Sequence, residues 1–199
     1  MQHQVSRIFG VKPGSFRLIN GDRMIFDNSE HLAFMKIALA EAHKCIPTST
    51  AFCVGCVIVV PVHSATRAEE KMILSTGYSR EMEGNTHAEA NALTKARDRS
   101  PPELENFFPE GIPSGGGVEK LLKESDVYTT LEPCSVRTSG LPPCADALVD
   151  AQVRRCFIGV AEPDDFVTCE GAEKLRKSGI EVVWLKGLEQ ECLNAARRR

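Results

Sequence analysis

No stretch of this 199-residue chain approaches the roughly 20 consecutive apolar residues that a membrane span requires, so none is expected. The opening MQHQVSRIFGVKPG lacks the seven-residue apolar core of a secretory leader, and no leader is expected there. Excess charge is missing too. Twenty-four Lys and Arg against 27 Asp and Glu leave a formal net charge of −3, so no global basic surface recruits nucleic acid. Gly115-Gly116-Gly117 runs into Val118 rather than Lys-Ser/Thr, which removes a phosphate loop. No internal repeat is found. What is present, 42% apolar and 26% charged residues, describes an ordinary globular chain with room for one α/β domain and extensions.

Cysteine, by contrast, is plentiful: eight, at positions 45, 53, 56, 134, 144, 156, 169 and 192. A secreted disulfide framework favours a shorter, loop-rich chain. Cys53, Cys56 and Cys156 lie inside the apolar runs AFCVGCVIVV and RRCFIGV and read as small core residues. A reducing, cytoplasmic setting follows. Cys134 and Cys144 stand apart, at the two ends of a Pro/Gly-rich stretch, TLEPCSVRTSGLPPCADAL, with a proline beside each.

Along the chain, residues 1–28 read as an N-terminal extension with a hairpin candidate, FRLINGDRMIF, whose Asn20-Gly21 suits a type I′ turn. Ser29 is placed to cap a helix over 30–44. Strands are expected over 53–60, 71–78, 127–131, 156–160 and 181–185, and helices over 87–97, 143–151, 172–178 and 188–196. Residues 100–124, opening SPPELENFFPEGIPSGGG, read as an insertion loop within a domain running over 29–199. Strands alternating with helices give a three-layer α/β/α domain. Arg197-Arg198-Arg199 reads as a solvated tail.

Thr86-His87-Ala88-Glu89 and the Cys134–Cys144 stretch both fall at strand-to-helix junctions, which in an open α/β sheet converge on one crevice. His87, Cys134 and Cys144 supply imidazole and thiolates, three ligands of the kind zinc takes in a catalytic site that keeps a fourth position for water. Helix N-termini favour thiolate, and Pro143 fits a first helical turn. Glu89 carries two readings. It completes a capping box with Thr86, or it shuttles protons beside the metal. Glu132 reads as structural, a carboxylate near a helix start.

His-x-Glu followed by Pro-Cys and Cys is the zinc-deaminase signature. The text TLEPCS…PPCADAL resembles the pyrimidine deaminase of riboflavin biosynthesis. The resemblance extends to Val54–Val59, to Glu162-Pro163-Asp164-Asp165 and to 171–182, and so covers about 30–183. It implies a cytidine-deaminase-like α/β fold with a mostly five-stranded central sheet, a Zn²⁺ cofactor on His87, Cys134 and Cys144, and Glu89 as catalytic acid and base. It implies hydrolytic deamination of a 2,5-diamino-6-(ribitylamino)pyrimidin-4-one 5′-phosphate, or its ribosylamino form, by a homodimer. Bacterial members read Ser-His-x-Gly-Arg/Lys-Thr between the cysteines, Asn-Pro before the Val-Gly strand and His after Gly-Tyr. This chain has Ser135–Leu141, Ala51-Phe52 and Ser79 there, and no reductase follows, which points to the fungal branch and its ribityl substrate. Candidate contacts are Asn85 for the pyrimidine edge, Arg80 and Arg137 for phosphate, Asp164 and Asp165 for sugar hydroxyls, with Ser79 and Thr138 as further positions. The alternatives are a zinc deaminase acting on a cytosine nucleotide or a tRNA adenosine, and a non-catalytic zinc module.

Overall fold

A computed structural model of the chain describes residues 17–19, 23–25, 28–66, 70–112, 117–137, 140–163 and 169–198. A short antiparallel pair, β1 (Arg17–Ile19) and β2 (Arg23–Ile25), precedes the main body. Its register sets Ile19 opposite Arg23, which leaves a three-residue connection where a two-residue turn was expected. Asn20 and Gly21 lie outside the described residues. Helix α1 (Ser29–Lys44) begins at Ser29 itself, with Asn28 at the capping position, so Ser29 is not the cap.

The five-stranded sheet has the order β4-β3-β5-β6-β7. Its strands are β3 (Gly55–Pro61), β4 (Lys71–Tyr78), β5 (Asp126–Leu131), β6 (Arg155–Val160) and β7 (Glu181–Trp184). Strands β5, β6 and β7 are parallel, while β3 runs against both β4 and β5. Consequently β4 and β5 point the same way and end at the same edge, with Gly55 paired to Tyr78 and Cys56 to Thr129. The two junctions flagged by the sequence therefore share an edge without being adjacent, because β3 lies between them.

Alternation along β5 assigns the faces. Val127 belongs to a core with α2 (Ala88–Arg97), α5 (Cys144–Asp150) and α6 (Gly171–Lys177), while Tyr128 faces α1 and α7 (Glu189–Ala196). The result is the expected three-layer α/β/α sandwich. Gly77 lets α2 lie directly on β4: a Cβ there would stand 2.2 Å from the Ala88 carbonyl oxygen.

Residues 100–124 are not an irregular loop. They form α3 (Pro101–Leu104), a 3₁₀ turn over Glu105–Phe107 and α4 (Val118–Lys123), with residues 113–116 outside the described residues. Leu104, Phe107, Phe108, Leu121 and Leu122 are buried in the α2-side core. Ser100 and Glu103 close a capping box at the start of α3. The arginine tail is not solvated along its length either. Arg198 donates to the carbonyls of Ala42 (3.0 Å) and Cys45 (2.8 Å) at the end of α1.

Candidate active site

The β4–α2 and β5–α5 junctions bring His87, Cys134 and Cys144 together, their ligand atoms all within 4.8 Å of one another. Both sulfurs stand 3.4 Å from His87 Nδ1. Zinc bonds of the usual lengths in tetrahedral array would separate nitrogen from sulfur by roughly 3.6 Å, so the donors already stand at the spacing the ion requires. Cys144 opens α5 and donates its backbone N–H to Cys134 Sγ at 3.3 Å, with Pro143 at the capping position just outside the helix. A hydrogen bond from the Cys144 thiol holds Cys134 down at about 4 against the opposing effect of burial, with His87 contributing in the same direction. The Cys144 thiol is pushed up by that same bond and by its own burial.

Glu89 sits one residue into α2 and is buried. The capping box with Thr86 does not form. Glu89 Oε1 instead accepts from Thr129 Oγ1 on β5 at 2.8 Å, and Thr86 Oγ1 donates to the Met82 carbonyl at 3.2 Å. Burial pushes the Glu89 carboxyl above its ordinary range, and the neighbouring Cys134 charge pushes it further. His87 occupies the capping position in extended conformation, which lets residues i and i+2 address one site despite their different helical faces.

The loop before His87 is braced from within. Asn91 on α2 donates to the Tyr78 carbonyl (2.8 Å) and to Thr86 Oγ1 (3.0 Å), and Arg80 N–H donates to the Thr86 carbonyl (2.7 Å). Arg80 adopts φ 62°, and its side chain turns onto the carbonyls of Phe52 (3.1 Å) and Ile46 (3.0 Å) and the Cys45 sulfur. That guanidinium holds a turn together. Ser79 is likewise buried and takes the Val54 N–H at 3.0 Å, a backbone brace. Asn85 is exposed. Its carbonyl accepts from Arg137 Nη2 at 2.6 Å, and Arg137 Nη1 reaches the Pro142 carbonyl at 3.5 Å, so Arg137 bridges the two loops at the rim. Thr138, Asp164 and Asp165 lie outside the described residues.

A third junction closes the site from the side. Glu132 Oε1 accepts the Ala172 N–H at the start of α6 (2.8 Å), the structural role expected of it. Gly171 lies against Pro133, where a Cβ would stand 1.7 Å from the carbonyl oxygen. Cys169 donates to that same carbonyl at 3.4 Å. Beside Cys169, burial pushes the Glu162 carboxyl up to about 7. Sequence reasoning did not find Thr129, Asn91 or Glu162 as neighbours of the site. Only the strand alternation that aims Thr129 at the α2 face was available as a signal.

The family model described as the cytidine and deoxycytidylate deaminase zinc-binding region matches residues 28–160. A diaminohydroxyphosphoribosylamino-pyrimidine deaminase of Schizosaccharomyces pombe is 39% identical over 168 residues, 84% of this chain and 35% of that protein. The riboflavin biosynthesis protein RibD of Actinobacillus pleuropneumoniae is 30% identical over 169 residues, 84% of this chain and 36% of that one. The chain thus spans about a third of the length of these two relatives. Among solved structures, a C-terminal deletion mutant of the Aspergillus oryzae Rib2 deaminase superposes with a TM-score of 0.61 at 28% identity, covering 83% of this chain and 90% of that one. The same enzyme in complex with DARIPP matches equally well, with a TM-score of 0.61 at 28% identity and coverage of 83% and 89%.

Proposed function

The chain belongs to the cytidine and deoxycytidylate deaminase zinc-binding family, and from that premise we infer that it catalyses hydrolytic deamination of a pyrimidine in riboflavin biosynthesis. The substrate we assign is 2,5-diamino-6-(ribitylamino)pyrimidin-4-one 5′-phosphate, preferred over its ribosylamino form. The convergence of His87 Nδ1 with the sulfurs of Cys134 and Cys144, next to a buried Glu89, carries this reading. The names of the fungal relatives, and the DARIPP complex of the Aspergillus enzyme, support the substrate class.

His87, Cys134 and Cys144 would hold zinc. Two thiolates offset its charge, and three protein ligands leave a position for water, whereas a structural site normally has four. Zinc in such a site supplies Lewis acidity that makes water a nucleophile near neutral pH. Glu89 takes one proton from the attacking water and passes it to the ring nitrogen, then takes the second from the hydroxyl now on the ring carbon and passes it to the departing amine, so that amine plus water becomes carbonyl plus ammonia. Its raised carboxyl pKa is the direction that such two-way proton traffic needs.

At the rim, Asn85 is the candidate for the pyrimidine edge. Arg137 is the phosphate contact, because two carbonyl bonds leave other N–H groups of its five free to bind. Thr138 and Asp164 complete the proposed contacts, with Ser79 and Arg80 shaping the wall behind them. We take residues 29–199 as the deaminase domain and 1–28 as an extension of it. The enzyme is proposed to work as a cytoplasmic homodimer: its eight cysteines are free thiols, and exposed Ile46, Val136 and Leu141 offer apolar area for a second copy.

Ammonia release is to be measured from the ribityl and ribosyl phosphates and from cytosine nucleotides. The ribityl form should lead by at least about tenfold in kcat/KM, roughly 1.4 kcal/mol. Equal turnover of the two sugar forms refutes the preference, and turnover of cytosine nucleotides alone refutes the substrate class. Glu89→Gln keeps the side chain's size and its bond from Thr129 but cannot carry the proton. It should retain zinc and lose at least about a hundredfold in kcat; normal turnover would return Glu89 to a structural role.

A further inference from the structure

Thr129 is a hydroxyl wholly removed from water, at the centre of the sheet. A buried hydroxyl is tolerated where it is hydrogen-bonded. Strand alternation places it on the α2 face, between Val127 and Leu131. Its Oγ1 stands 2.8 Å from Glu89 Oε1 and 3.0 Å from the Leu131 carbonyl oxygen. One proton faces two acceptors, and a carboxylate is the stronger of them. The thiols of Cys56 and Cys156 also border Glu89 on the sheet side. Both are fully buried and kept protonated by that burial, and a thiol is a weak donor. Thr129 is therefore the strong donor that the sheet offers to the carboxylate among the described residues.

We propose that Thr129 is a positioning residue for the deamination: its hydroxyl fixes Glu89 Oε1, leaving the second carboxylate oxygen to carry protons. This rests on the reading of Glu89 as the proton carrier. A glutamate in the first turn of a helix has three side-chain torsions to restrict, and proton transfer needs heavy atoms within about 3 Å of each other. One hydrogen bond from a rigid strand supplies that restriction, as support from a secondary element does for a functional group generally.

The test is Thr129→Val, which keeps the shape and removes the donor, alongside Thr129→Ser, which keeps the donor and removes a methyl. Kinetics on the ribityl pyrimidine phosphate and zinc content are read for both. For Thr129→Val, kcat should fall about ten- to a hundredfold, the cost of misplacing a catalytic group by about an ångström, with KM and bound zinc unchanged. Thr129→Ser should recover most of kcat. If Thr129→Val does not fold, Thr129→Ala replaces it with the same expectation. An unaltered kcat in the donor-less variant overturns the inference while leaving the deaminase reading intact. So does a Ser variant as slow as the Val or Ala one, which would assign the loss to packing. A wild-type chain that releases no ammonia from any of the pyrimidines overturns the functional reading and this inference with it.

Discussion

Arg80 and Arg137 are both arginines at the mouth of one site, yet their surroundings give them opposite duties. Arg80 is tied to two carbonyls and a sulfur beneath the turn, and removing it leaves those carbonyls short of a donor. Arg137 is half-buried and spans two loops. Arg137→Ala should weaken turnover of phosphorylated substrate about tenfold or more while sparing the dephosphorylated analogue, because a charge-assisted bond contributes about 1.5–3 kcal/mol. Arg80→Ala should instead lower the melting temperature and affect both substrates alike. The opposite pattern, read from kinetics on the two substrates and from thermal melts, would exchange the two roles. The bracing by Arg80 was not legible in sequence, where both arginines read alike as phosphate candidates; the positive φ of Arg80 and the carbonyls it meets are tertiary facts.

Among the elements, the segment from 101 to 123 carries the largest structural surprise. Phe107 is 2% exposed, under the α2-side core. Phe107→Ala should cost about 3–5 kcal/mol, measurable as a lower urea midpoint, because the space left cannot collapse onto a short helix and a 3₁₀ turn. A loss below about 1 kcal/mol would make the segment peripheral after all. Its proline and glycine content suggested a loop, although Leu104, Phe107 and Phe108 fall at i, i+3 and i+4, a helical stripe too short to stand out from the surrounding turn residues. Elsewhere local pattern sufficed. Strand β4 has the bounds its β-branched and apolar run suggested, and the other strands and helices of the α/β rhythm differ by a residue or two at their ends, where such boundaries are least determined. The candidate ligands could be grouped because His-x-Glu and the cysteine pair have fixed chemistry. Glu89's true partner could not, since Thr129 is 40 residues away and meets it only after β5 joins the sheet.

For the whole molecule, β5 is the axis on which the site depends. Asp126 at its start is buried and held by Arg154 (2.7 Å) and Arg155 (2.7 Å), and its other end delivers Cys134. His87 reaches the same place from β4, across β3, so the ligand set belongs to the assembled sheet rather than to any local motif. Cys134 and Cys144 lie 47 and 57 residues beyond His87. An ion gripping all three would act as a cross-link, closing a loop in the denatured chain that would otherwise be free. By the chain-entropy estimate used for disulfides, closing 47 residues is worth about 4 kcal/mol, or roughly 10 °C in the melting temperature of a chain this size. Chelation should lower the melting point by about that amount in the wild type and leave Cys144→Ala where it stands. Metal loss would then loosen the chain as well as silence it, coupling the lifetime of the protein to its supply of zinc.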